Sequence, residues 1–177
     1  MSTVTVSEGS VRIRKLTEGA LCVALSVVLS YLKLFKMPQG GSITLEMAPI
    51  LFFAYRCGAK WAVGAGALSG LLQMLFGGSI YHPVQAILDY PAAFACVGLA
   101  GAFGERLILG ALAGGAARLA CHVISGAVFF AAYAPAGQNP WIYSAVYNMT
   151  FMIPALILSG GAAWILWKKL GDTTPPR

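Results

Sequence analysis

The run from Val84 to Phe103 carries one charged side chain, Asp89, and is long enough to cross a bilayer as a helix. A backbone surrounded by hydrocarbon must satisfy its own hydrogen bonds, which a helix does within one segment. An ionisable group at that depth is expensive and marks a functional site by default. A second apolar run carries Arg118 and His122, and a third carries Tyr143, Tyr147 and Asn148. Several polar side chains thus share a chain that is otherwise mostly hydrocarbon, which points to a polar pocket enclosed by helices.

Of the 177 residues, 58% are apolar and only 10% are charged. The mean hydropathy of +0.75 is far from that of an ordinary soluble domain. At about 20 residues per spanning helix, the chain has room for about six helices and no separate soluble domain. Apolar runs predict spans near Leu16 to Phe35, Ile43 to Arg56, Trp61 to Phe76, Val84 to Phe103, Leu107 to Tyr133 and Pro140 to Trp167. Breakers between them agree: Met37 to Ser42, Gly77 to Ser79, His82-Pro83 and Ala134 to Asn139. The second span is short and contains Glu46 and Pro49, so it is expected to be tilted, kinked or entered from a loop that dips inward. The reading is an all-α integral membrane protein, residues 1–177 forming one six-helix domain with short cytoplasmic segments at 1–14 and 168–177.

Basic residues set the orientation, because Lys and Arg near helix ends collect on the cytoplasmic side. With both termini inside, Arg12, Arg14, Lys15, Arg56, Lys60, Arg106, Lys168, Lys169 and Arg177 are cytoplasmic, and only Lys33 and Lys36 lie at the outer face. The net charge of +6 is then a topology signal in contact with membrane lipid, not a nucleic-acid footprint. The first apolar run is too long for a signal peptide and lacks a small-residue cleavage site before Lys33, so it is read as a retained helix. Cys22, Cys57, Cys96 and Cys121 are scattered and suggest neither a metal site nor a disulfide framework.

At about 1.5 Å per residue, Asp89 lies roughly 8 Å below the outer end of its helix, and Gly126 and His122 roughly 10 to 17 Å below that of theirs. Tyr143, Tyr147 and Asn148 fall in the same outer half, so the pocket opens outward. Arg118, His122, Gly126 and Phe130 recur every fourth position along one slowly drifting face. Gly126 leaves room there for something flat, or serves only close helix packing, as is usual for Gly66 to Gly70 and Gly110 to Gly114. Asp89 has a second explanation, a buried ion pair with Arg118, but the estimated depths differ by more than two helical turns. His122 and Asn148 are also capable of merely bridging helices. Glu18 and Glu105 are expected to be solvated or paired with nearby basic residues. Tyr81, Trp141, Trp164 and Trp167, near helix ends, read as interface anchors.

The sequence lacks a nucleotide-binding Gly-x-x-x-x-Gly-Lys-Ser/Thr loop, a His-Glu-x-x-His zinc motif and a Gly-x-Ser-x-Gly nucleophile turn. Uphill transport driven by ATP would therefore need another subunit to hydrolyse it. Four runs carry a specific likeness: Pro38-Gln39-Gly40-Gly41-Ser42-Ile43, then His82-Pro83-Val84-Gln85-Ala86-Ile87-Leu88-Asp89-Tyr90-Pro91, then Tyr133-Ala134-Pro135, and Tyr143-Ser144-Ala145-Val146-Tyr147-Asn148. In order and over nearly the whole chain, they resemble the thiamine-specific S components of energy-coupling factor transporters.

That resemblance implies a prokaryotic, multi-pass cell-membrane subunit that is a binding protein rather than an enzyme. It would take thiamine from outside, then associate with a membrane coupling protein and two cytoplasmic ATPases that drive release inward, with no cofactor of its own. The family's pocket acid falls on Asp89, followed by Tyr90. Its basic, histidine and glycine positions fall on Arg118, His122 and Gly126, and its tyrosine and asparagine on Tyr143 and Asn148. Two departures are visible: the acid, often glutamate, is aspartate here, and a stacking position associated with tryptophan is Phe130.

The residue chemistry suits such a ligand, a fixed thiazolium cation joined to a flat aminopyrimidine. Asp89 balances the cation, Tyr90, Phe130, Tyr143 and Tyr147 offer stacking surface, and His122 and Asn148 offer hydrogen bonds. Arg118 is expected to orient the acid or a water instead of touching a cation. The segment with Gln39, Gly40, Gly41 and Ser42 is suited to act as a lid. Ala20-x-x-x-Ala24 in the first helix permits close helix approach and resembles the coupling-protein contact of S components; internal packing is the other explanation. Competing functions are an S component for riboflavin or biotin, neither of which offers Asp89 a fixed cation, a proton-coupled carrier, and an intramembrane enzyme using Asp89 and His122.

Overall fold

The computed structural model describes residues 8–170, which form six helices. These are α1 (Glu8–Tyr31), α2 (Met47–Cys57), α3 (Ala59–Gly77), α4 (Pro83–Phe103), α5 (Leu107–Phe129) and α6 (Pro140–Leu170). Three of the six, α4, α5 and α6, are long and apolar enough to cross a membrane by length and composition. Large apolar side chains point outward, among them Leu21, Leu25 and Val28 on α1, Ile108 and Leu112 on α5, and Ile153 and Ile157 on α6. A surface of this kind is stable against lipid, not water.

The six predicted segments are helical, with shifted ends. Residues 8–14 of the expected N-terminal segment are part of helix α1, and α6 carries residues 168–170 of the expected tail. The rest of those two segments, 1–7 and 171–177, lies outside the described residues. The stretch expected to finish the first span instead forms a strand, β1 (Phe35–Lys36), paired antiparallel with β2 (Ser42–Ile43). Gly40 (φ 95°) and Gly41 (φ 85°) make its turn, in backbone conformations that only glycine adopts without steric cost. The all-α expectation thus acquires one small hairpin.

From β2 the chain runs through Glu46 into α2, whose first residues Met47 and Ala48 are already buried, in keeping with one of the three forms expected for the short second span. Pro49 falls in the first turn of α2, where a backbone N–H has no helical partner to lose. Met47, Ile50, Leu51, Phe53, Ala54 and Tyr55 are all buried. An all-round apolar helix of this kind belongs in the core, and α2 indeed packs against α1, α3, α4 and α6.

Small residues set the spacing of the remaining helices. A Cβ at Gly66 or Gly70 would collide with the carbonyls of Phe94 and Tyr90 in α4, and one at Gly110 or Gly114 with those of Ala100 and Val97. Both Gly-x-x-x-Gly pairs are therefore packing devices. At the end remote from the hairpin, Arg56 joins three helices, donating to Glu18 of α1 at 3.1 and 2.9 Å and to the Leu170 carbonyl of α6 at 2.7 Å. Glu18 also accepts from Arg14, the pairing expected for it. Trp167 packs edge-on against Tyr55, a core contact and not only an interface anchor.

Candidate functional site

Helix α4 changes winding at Asp89. Residues Leu88–Ala92 form a π-turn between two α-helical stretches. Pro91 lies inside it, where an ordinary α-turn would set the proline ring against the carbonyl one turn earlier. The wider turn accommodates the ring, and such turns gather at functional sites. Asp89 lines a cavity of about 580 Å³ that opens at the hairpin end of the bundle, within the range of small-molecule sites.

Three donors hold the Asp89 carboxylate: Gln85 Nε2 at 2.7 Å, Ser125 Oγ at 2.9 Å and His122 Nδ1 at 3.0 Å. Gln85 is itself fixed, since its Oε1 accepts from the Tyr81 and His82 backbone N–H groups while His82 Nδ1 caps the N–H of Val84. The start of α4 and the orientation of its acid are therefore one structure. Asp89 and His122 are in direct contact, although the depth arithmetic set them roughly 9 Å apart along the bundle.

Arg118 does not pair with Asp89. Its Nη2 donates to Glu46 Oε1 at 2.6 Å, its Nε donates to His122 Nε2 at 3.3 Å, and its guanidinium carbon sits 4.1 Å from the centre of the Phe94 ring. The ion pair with Asp89 is therefore not formed, and Arg118 reaches the acid through His122. Guanidinium nitrogens only donate, so His122 Nε2 accepts and the ring proton resides on Nδ1, directed at Asp89. His122 is a neutral link between Arg118 and the acid.

On α6, Asn148 Nδ2 donates to the Ser144 carbonyl at 2.9 Å and, at 3.5 Å, to the carbonyl of His122 across the helix interface. Ser144 occupies the space that Gly126 was expected to leave: a Cβ at Gly126 would strike Ser144 Oγ. Gly126 thus brings α5 against α6 and also lines the cavity. Tyr143 and Tyr147 stack on one another at 6.1 Å, but their hydroxyls serve the hairpin. Tyr143 donates to Gln39 Oε1, while Tyr147 accepts from the Gln39 N–H at 2.9 Å and donates to the Gly40 carbonyl at 3.0 Å. The segment Gln39 to Ser42 lies over the cavity, with Gly41 close against the Phe151 ring.

Tyr90 lines the opposite wall, its hydroxyl accepting from the Ser79 N–H at 2.8 Å. Phe130 follows the last residue of α5 at the mouth, edge-on to Tyr81 at 5.4 Å and stacked with Tyr133 at 6.0 Å. Tyr81, expected as an interface anchor, is thus part of the cavity wall. The structure brings Asp89, Tyr90, Arg118, His122, Gly126, Phe130, Tyr143, Tyr147, Asn148 and the hairpin around one space. It leaves Ala20 and Ala24 apart on the exposed face of α1, whose inward positions are Gly19, Val23 and Ser26. Internal packing therefore does not explain the two alanines.

The cavity residues that the sequence reading did not assign to the site include Glu46, Gln85, Ser125 and Ser144. Glu46 had a usable signal, an acid inside an apolar run, the same rule that singled out Asp89. The other three are neutral residues with no spacing to distinguish them.

Residues 16–174 match the family described as thiamine transporter protein (Thia_YuaJ). Thiamine transporter ThiT of Bacillus subtilis (strain 168) is 39% identical, over 81% of this chain and 85% of that protein. Thiamine transporter ThiT of Lacticaseibacillus paracasei is 32% identical, over 74% of this chain and 75% of its own. The solved structure of ThiT from Listeria monocytogenes superposes with a TM-score of 0.82 at 31% identity, covering 91% of this chain and 97% of that one. The S component of a bacterial ECF transporter shares the fold, with a TM-score of 0.66 at 18% identity over 92% of this chain and 98% of that one. These relatives are named as transporters, not as enzymes.

Proposed function

The chain belongs to the thiamine transporter protein family, and on that premise we propose that it is a thiamine-binding S component. It captures thiamine in a pocket open to the outside and passes it inward once a coupling protein and two ATPases engage it. Both termini are cytoplasmic in this reading, which places the hairpin and the cavity mouth at the outer surface.

One observation carries the proposal: an aspartate fixed by three donors at the wall of an aromatic-lined cavity deep in an apolar bundle. Thiamine is a fixed cation with flat rings. A carboxylate about 4 Å from a unit cation contributes about 4 kcal/mol at an effective dielectric near 20, against about 0.5 to 2 kcal/mol for an aromatic face. Asp89 therefore selects the cation, and Tyr90 and Phe130 supply apolar walls for the rings. Asn148, which spends its Nδ2 on helix contacts, keeps Oδ1 as an acceptor for an amine. Riboflavin and biotin offer Asp89 no fixed cation.

The test is the identity of the molecule that co-purifies with the protein, read by mass spectrometry and followed by calorimetry. Thiamine should be retained stoichiometrically and unaltered. A chemically converted product, or no thiamine binding at all, would overturn the assignment.

A further inference from the structure

Glu46 is an acid at the cavity wall with only 14% of its side chain exposed. It lies three residues beyond the hairpin strand β2, and it is held on two sides. Its backbone carbonyl accepts from Ser26 Oγ of α1 at 2.7 Å, and its carboxylate accepts from Arg118 Nη2 of α5 at 2.6 Å. Arg118 is buried, 7% exposed, and enclosed by Glu46, His122 and the Phe94 ring. Its cationic head is a fixed charge of the cavity wall, and being cationic it repels a cationic ligand.

The charges around the cavity can be listed from every element that lines it. Glu46 precedes α2, Asp89 is on α4, and Arg118 and neutral His122 are on α5, while Lys33 and Lys36 stand exposed at the rim, where solvent and salt screen them. Among the described residues, α3 and α6 present no charged side chain to it. Inside the rim, two carboxylates face one guanidinium, a net charge of minus one. Without Glu46, Arg118 would cancel Asp89 and the interior would be neutral.

We propose that Glu46 is the positioning residue that makes the pocket cation-selective: by neutralising Arg118 it leaves the charge of Asp89 uncompensated for the ligand. The inference rests on the thiamine reading above and adds a residue that acts through the charge of Arg118. Preference for charge then depends on the sum of three side chains, not on Asp89 alone.

The experiment compares thiamine with an uncharged analogue in which a thiophene replaces the thiazolium, by calorimetry on the purified full-length protein. The quantity read is the ratio of the two affinities. Glu46→Gln should lower that ratio by about thirtyfold, the effect of one elementary charge across about 8 Å at an effective dielectric near 20. Arg118→Gln should raise it. The double variant Glu46→Gln/Arg118→Gln, which again has one uncompensated acid, should return it to the parental value. A merely structural role for Glu46 would weaken both ligands together and leave the ratio unmoved, and that result overturns the inference. If Glu46→Gln alone does not fold, the other two variants decide: a double-variant ratio well below the parental one, or no rise in Arg118→Gln, overturns it equally. Failure of the parent protein to bind thiamine would instead overturn the assignment on which the inference rests.

Discussion

Asp89 sits among donors that were built for a carboxylate: the Gln85 amide, the Ser125 hydroxyl and the His122 Nδ1–H all point at it. Asparagine keeps the shape but turns one oxygen into a donor and removes the countercharge. Asp89→Asn should weaken thiamine binding by about 2 to 5 kcal/mol, the usual cost of truncating a buried charge pair, and unchanged affinity by calorimetry would remove Asp89 from the site. The sequence exposed Asp89 and His122 because charge and depth are both readable along an apolar helix. It concealed the partner of Arg118. The depth mismatch between Arg118 and Asp89 was a correct sign that the partner lay elsewhere, but locating Glu46 required knowing that α2 begins inside the bundle.

The hairpin and α1 are the elements with the clearest separate functions. Tyr147 alone makes two of the hydrogen bonds that hold the hairpin over the cavity. Tyr147→Phe removes both and leaves the ring in place. At about 0.5 to 1.5 kcal/mol per bond, the ligand dissociation rate should rise by about 5- to 150-fold with little change in association, as stopped-flow fluorescence would show. An unchanged dissociation rate would mean that the hairpin does not gate release. For α1, enlarging Ala20 and Ala24 to leucine alters an exposed face remote from the cavity. Binding should persist, while ATP-dependent uptake in vesicles containing the coupling protein and ATPases should fail; wild-type uptake would exclude this face as the contact. The helices themselves were legible from apolar runs and breakers. The hairpin was not, since two strands of two residues carry no period, and only its Gly-Gly turn marked the place. The π-turn was equally hidden, although Pro91 within an apolar run marked where regular winding had to yield.

Across the bundle, glycines fit α3 to α4 and α4 to α5, α2 fills the centre, and the ion pairs of Arg56 and Arg118 sit near opposite ends of α2. The six-helix count followed from length and hydropathy alone, whereas the burial of α2 depended on its neighbours. The three-charge set of Glu46, Arg118 and Asp89 also has an electrical consequence. A monovalent cation beside Asp89 brings the occupied interior to zero, whereas the unloaded interior keeps one negative charge. Carrying an elementary charge through the membrane potential involves about 2.3 kcal/mol per 100 mV. On the proposed function, delivery of thiamine would require no electrical work, and a negative-inside potential would favour return of the unloaded site outward. In proteoliposomes with the potential clamped, the first turnover should be indifferent to voltage and steady-state uptake should rise with it; a voltage-dependent first turnover would show that the loaded core is not electroneutral. The cell's voltage would thus reset the carrier, and ATP would empty it.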